Sequence, residues 1–175
     1  MPRGATARVK ERVARVRKLV EERGCVSTAL LASAVGGNTN KAYYAARLLE
    51  GEGAVLQVVL GQHSLWCASR EAAEAVTCEL KKELARLLCR DGARYATPIR
   101  AYKLVAADKQ ARITFLRYVS LERTTVTLIN ALLHQMFGDP IRYRYRGTQP
   151  LYYVPPCPAS PASQLLPCLQ RLALT

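Results

Sequence analysis

The sequence predicts a mostly α-helical protein carrying small β-hairpins, an α+β chain, and three observations lead there. Apolar residues recur at helical spacing through most of the chain, beginning with Val9, Val13, Val16 and Val20. Two stretches, "AVLQVVLGQHSLWCAS" (54–69) and "IRYRYRGTQPLYYV" (141–154), read instead as paired short strands around a turn. The order of helices and hairpin also recurs. "KLVEERGCVST" (18–28) is echoed by "RLLCRDGARYAT" (86–97), and Val55, Gly61, Leu65 and Trp66 line up with Ile141, Gly147, Leu151 and Tyr152. The hairpins are offset by 86 residues and the earlier echo by 68, so the second copy carries 18 more residues between its second helix and its hairpin.

Taken in order, "RVKERVARVRKLVEERG" is a helix stopped by Gly24. "STALLASAV" follows as a short helix with Ser27 as its N-cap, ending at Gly36 and Gly37. Asn38 caps a third helix, "TNKAYYAARLLEGEG", and the first hairpin comes next. "SREAAEAVTCELKKELARLLCRDG" is one long helix near 70–91 with Val76, Leu80, Leu84, Leu87 and Leu88 on its stripe, closing the first unit and opening the second. "TPIRAYKLVAAD" is a helix capped by Thr97 and opened by Pro98, and "KQARITFLRYVS" an extra helix or extension, together the insertion near 98–120. "RTTVTLINALLHQMF" buries Ile129, Leu132, Leu133 and Met136, and the second hairpin follows. The units are thus 1–70 and 71–154, leaving 155–175 as a proline-rich linker and a short helix through Leu165, Leu166, Leu169 and Leu172.

Composition narrows the partner. The chain has 175 residues, half of them apolar, and a formal charge of +13, so a core is affordable and polyanions are attracted. Nucleic acid is the default partner for such a charge. No apolar run approaches the roughly 20 residues that span a bilayer, and no signal peptide is visible, so the expectation is a cytoplasmic, nucleoid-associated protein without membrane contact. The six cysteines form no C-x-x-C pair, and His63 and His134 are not spaced to join them, so no metal or other cofactor is expected. Most of the cysteines read as small buried apolar residues in a reducing cytosol. Arg outnumbers Lys by 19 to 7; if the source is a hyperthermophilic archaeon, intracellular disulfides become an option, with Cys157 and Cys168 the first pair to test. With no glycine-rich phosphate loop, nucleophile elbow or paired carboxylates, no catalytic residue is assigned and an enzyme is not expected.

The run "STALLASAVGGNTNKAYYAARLLEGEGAVLQVV", with a small-residue turn between its second and third helices, resembles the winged helix-turn-helix family of DNA-binding proteins. "LEGEGAV" matches that family's exit from recognition helix to wing, and the repeat extends the resemblance to two units in tandem. The resemblance implies two recognition helices in a DNA major groove. On the first, burial of Ala42, Ala45, Ala46 and Leu49 sets Asn40, Tyr44 and Arg47 on the opposite face with Lys41 beside them. On the second, Arg123, Thr127, Asn130 and His134 form a polar row containing neither Glu nor Lys. In the second wing Tyr143 and Tyr145 face a core while Arg142, Arg144 and Arg146 face phosphates or a minor groove.

The first wing has no Arg or Lys, only Gln62 and His63 at its tip, and is expected to pack inside the protein or against a second subunit. Three functions compete: a transcriptional regulator on double-stranded DNA, a replication or plasmid initiator, and a scaffold subunit of a transcription or other multiprotein complex. In the last, the apolar first wing or the C-terminal helix would meet a homodimer mate or another protein.

Overall fold

The computed structural model describes residues 6–90, 98–137, 143–146 and 149–152. Helix α1 (Ala7–Arg23) starts where the Thr6 side chain accepts from the Val9 amide and stops at Gly24, whose φ of 83° lets its N–H close on the Val20 carbonyl. Its buried residues are Val13, Val16 and Val20. Strand β1 (Cys25–Ser27) follows at once, and Ser27 both ends it and caps α2 (Thr28–Ala34) by accepting from the Leu30 amide. The Asn38 side chain accepts from the Lys41 amide and so opens α3 (Thr39–Gly51). Strands β2 (Leu56–Leu60) and β3 (His63–Cys67) pair in antiparallel register around a two-residue turn, Gly61–Gln62. The sheet order is β1-β3-β2.

The sheet separates two cores. Because side chains alternate along a strand, Val26 and Trp66 face one way and join Val13, Val16, Leu31, Ala46 and Leu49. Cys25, Leu60, Leu65 and Cys67 face the other way and join the helices that follow. The first hairpin therefore packs one end and one face against the following helices, while Val59 and the turn stay exposed, and the second core draws on residues from Cys25 to Leu133. Cys25 and Cys67 are cross-strand partners in that core and form a disulfide, with Cα atoms 4.1 Å apart. Cys78 is disulfide-bonded as well. The expectation of free, reduced cysteines is corrected at these three positions; for Cys25 and Cys67 the reason is strand pairing, which brings the two sulfurs within bonding distance across 42 residues of sequence. Cys157 and Cys168 lie outside the described residues.

Helix α4 (Arg70–Arg90) is long and continuous, burying Val76, Leu80, Leu84, Leu87 and Leu88. Helix α5 (Pro98–Ala107) opens on Pro98, and α6 (Lys109–Tyr118) is capped by Asp108, which accepts from the Ala111 amide. Thr97 lies outside the described residues. Arg86 of α4 ties this corner together, reaching Asp108 at 2.6 Å and Glu83 at 2.9 Å. The Arg86 guanidinium, with the Ala111 N–H, holds the Asp108 carboxyl below the usual carboxylate range. Near the far end of α6, the Tyr118 hydroxyl donates to Glu79 at 2.5 Å; burial, then that acceptor, pushes its pKa up.

Helix α7 (Thr125–Phe137) buries Leu128, Ile129, Leu132 and Leu133. Strands β4 (Tyr143–Arg146) and β5 (Gln149–Tyr152) pair antiparallel, with Arg146 opposite Gln149 and Tyr143 opposite Tyr152. Gln149 and Pro150 belong to β5. The proline-rich linker and the C-terminal helix expected at 155–175 fall outside the described residues. The architecture is mostly helical with a small three-stranded antiparallel sheet and a separate hairpin.

Candidate nucleic-acid interface

On α3 the sequence pattern and the geometry agree. Ala42, Ala45, Ala46 and Leu49 are buried, and the 100° helical step leaves Asn40, Lys41, Tyr44 and Arg47 exposed. Tyr44 is 51% exposed, and Arg47 pairs with Glu50, one turn along the same helix. A surface pair of that kind yields readily to a stronger anion. Tyr43, next to this face, sets its ring edge against Trp66 at 5.4 Å between centroids, and the Trp66 indole donates to the Thr28 hydroxyl at 2.9 Å. The helix is therefore seated on a rigid aromatic support while its polar flank stays open.

On α7 the expected row does not form a continuous outward face. Arg123 is exposed but lies in the turn before the helix, and His134 is exposed near its end. Thr127 is half-buried because the tip of the first hairpin sits on it: a Cβ placed on Gly61 would come 2.6 Å from the Thr127 carbonyl oxygen. The Thr127 hydroxyl is turned back on the Thr124 carbonyl at 2.8 Å. Asn130 has its Oδ1 enclosed without a hydrogen-bond partner among the described residues. Thr127 and Asn130 are thus half-buried, less open than the flank of α3, and the Asn130 side-chain carbonyl oxygen is turned away from solvent. The sequence marked both as polar; it did not show that the uncharged hairpin would lie against Thr127.

Arg144 and Arg146 lie on β4, opposite Leu151 and Gln149. The backbone register is that of a hairpin, the side chains are outside the described structure, and Arg142 is outside it altogether. Further positive charge sits on α1, where Arg8, Arg12 and Arg15 line a cleft of about 240 Å³ beside Val35, with Arg15 held by Glu11 at 2.6 Å.

A second cleft, of about 360 Å³, opens between the two halves. Thr28 and the α3 residues Asn40 and Tyr43 form one wall, Gln62 and His63 of the hairpin turn another, and Thr124 closes it from the second half. His63 Nε2 lies 2.9 Å from the Thr124 carbonyl, which fixes the turn against the start of α7. Among the described residues none that lines it is Lys, Arg, Asp or Glu. Of this set only Asn40 was legible as a site residue; the one signal for the rest was a turn bearing an amide and an imidazole where cations would be expected.

Among the described residues no helix is long and apolar enough to cross a membrane. No protein-family model matches the chain, and no curated protein matches it. The chain is similar to a solved structure, a hypothetical protein, PyrSV_gp04, from Pyrobaculum spherical virus. The two are 25% identical with a TM-score of 0.75, over 86% of this chain and 97% of that one.

Proposed function

We propose that the chain is a double-stranded DNA-binding protein built from two winged-helix units in tandem, a transcriptional regulator in its simplest form. The observation that carries the reading is α3, whose apolar face is fully buried while Asn40, Lys41, Tyr44 and Arg47 present amide, ammonium, phenol and guanidinium groups outward. The order helix, strand, helix, helix, strand, strand, with the sheet arranged β1-β3-β2, supports a winged helix in the first half. The net charge of +13 supplies the long-range attraction. Phosphate contacts then set the register on the duplex, and the outward flank of α3 reads base edges.

The counterion-release rule tests this. With some six to eight Lys or Arg at phosphates, log K for a random-sequence duplex falls against log salt with a slope of roughly −5 to −7. A slope near zero removes DNA from the account. Action at a replication origin rather than a promoter uses the same contacts and is separated by footprinting on a repeat array.

A scaffold role is the second reading, favoured by exposed apolar residues on the inserted helices. Ile99 is 55% and Ile113 is 52% exposed, with Leu116 one turn from Ile113. Partner binding without DNA affinity would select it.

A further inference from the structure

We propose that the cleft between the two halves is a pocket for one unpaired nucleobase, so that the protein engages duplex DNA most tightly where a base has left the stack. The proposal rests on the DNA-binding reading and adds a ligand class to it. The cleft measures about 360 Å³, at the low end of the roughly 300–1,000 Å³ of small-ligand pockets, which suits a single planar ring system better than a stacked run.

The lining selects the ligand's chemistry. A phosphate subsite uses Arg, Lys or a set of open backbone amides, whereas among the described residues no Lys or Arg lines this cleft and the Lys41 amide in the first turn of α3 is already capped by Asn38. What it offers instead is an aromatic ring, two carboxamides and hydroxyls. Tyr43 is 42% exposed, leaving part of the ring open for a base to stack, while its edge contact with Trp66 holds the ring in place. Among the described residues no hydrogen bond engages the side-chain amides of Asn40 and Gln62 or the Tyr43 hydroxyl. Carboxamides donate and accept side by side, as the exposed edge of an unpaired base does. The pocket is also preformed, because His63 at the Thr124 carbonyl and Gly61 against Thr127 fix the hairpin wall.

Position makes the proposal specific. Asn40 belongs both to the cleft and to the outward flank of α3, so a nucleotide leaving a duplex that lies along α3 has this cavity beside it. Extrusion costs a few kcal/mol and least where the base is already unpaired.

The test measures fluorescence anisotropy of the full chain with three labelled DNAs of the same flanking sequence: a fully paired duplex, that duplex with one bulged nucleotide, and the same bulge lacking its base. The bulged base is expected to bind about 10-fold tighter than the abasic bulge, in line with one base stacked on an aromatic side chain. Tyr43→Ala and, separately, Gln62→Ala should erase that difference while leaving the paired duplex unchanged. Gln62 lies at a solvent-facing turn, so its variant keeps the question open to test even if the Tyr43 change disturbs Trp66. Equal affinity for the two bulges alongside tight binding of the paired duplex overturns the pocket and leaves DNA reading standing. A base preference that survives both substitutions places the base elsewhere and also overturns it. Absence of binding to all three DNAs overturns both proposals.

Discussion

Helices α3 and α7 are each 13 residues long, each precedes a hairpin, and each has a polar flank opposite an apolar one, yet only the flank of α3 faces open space along its length. The difference lies in what each meets. Nothing among the described residues covers Asn40, Lys41, Tyr44 and Arg47, whereas the first hairpin turn sits on the start of α7 and partly covers Thr127. The first hairpin, lacking cations, is spent on joining the halves. The polar row on α7 is in part the complement of that joint. A polar helix flank stays open on α3 and is partly covered on α7, where the uncharged hairpin turn lies against Thr127.

That contrast can be broken in several ways. The largest effect should come from the disulfide, which ties β1 to β3 on the side of the sheet facing α4 and α7. Changing Cys25 and Cys67 together to Ala releases a link across 42 residues, and the chain-entropy relation gives a loss of about 4 kcal/mol, measured by denaturant unfolding. A loss under about 1 kcal/mol would mean that the sheet does not depend on this clamp.

Next comes the seam itself. Gly61 has φ of 63° and no room for a Cβ against the Thr127 carbonyl, so Gly61→Ala should cost roughly 2–3 kcal/mol, combining left-handed strain with a backbone clash. An unfolding midpoint equal to that of the parent chain would show that the hairpin does not rest on α7.

The two asparagines offer a direct contrast in function. Asn40→Ala should relax preference at one base position by about 1–3 kcal/mol when selected and scrambled duplexes are compared, and Asn130→Ala should leave that preference intact. The reverse pattern would restore α7 as the reading helix.

The smallest effect concerns pH. Asp108 is held below its ordinary pKa by Arg86, so its contribution is present above the unfolded value near 4 and is lost as pH falls through the folded value. The melting temperature of the parent should therefore drop more steeply below about pH 4 than that of Asp108→Asn. Parallel acid limbs would remove Asp108 from the joint between α4 and α6.

Much of the local structure was legible because it depends on short-range chemistry. Gly24 as a stop, Ser27 and Asn38 as caps, the valine stripe of α1 and the four buried residues of α3 all follow from spacing and capping within a turn or two. The inserted helices were legible from Pro98 and from the amphipathic spacing of 109–118. Strand β1 was not, since three residues between a helix stop and a cap show no alternation, and its pairing partner lies about 40 residues away. The partial burial of Thr127 was hidden for the same reason: its polarity is local, but the hairpin turn that lies against it is distant in sequence. The missing cations of the hairpin hinted at a contact, yet not with which helix.

The salt dependence of duplex binding by the parent chain and by the double variant Lys41→Ala, Arg47→Ala tests the central claim most directly. Each cation that leaves a phosphate removes about 0.9 from the slope of log K against log salt, so the variant should be shallower by about 2. An unchanged slope would contradict the assignment of α3 as the helix that lies on DNA.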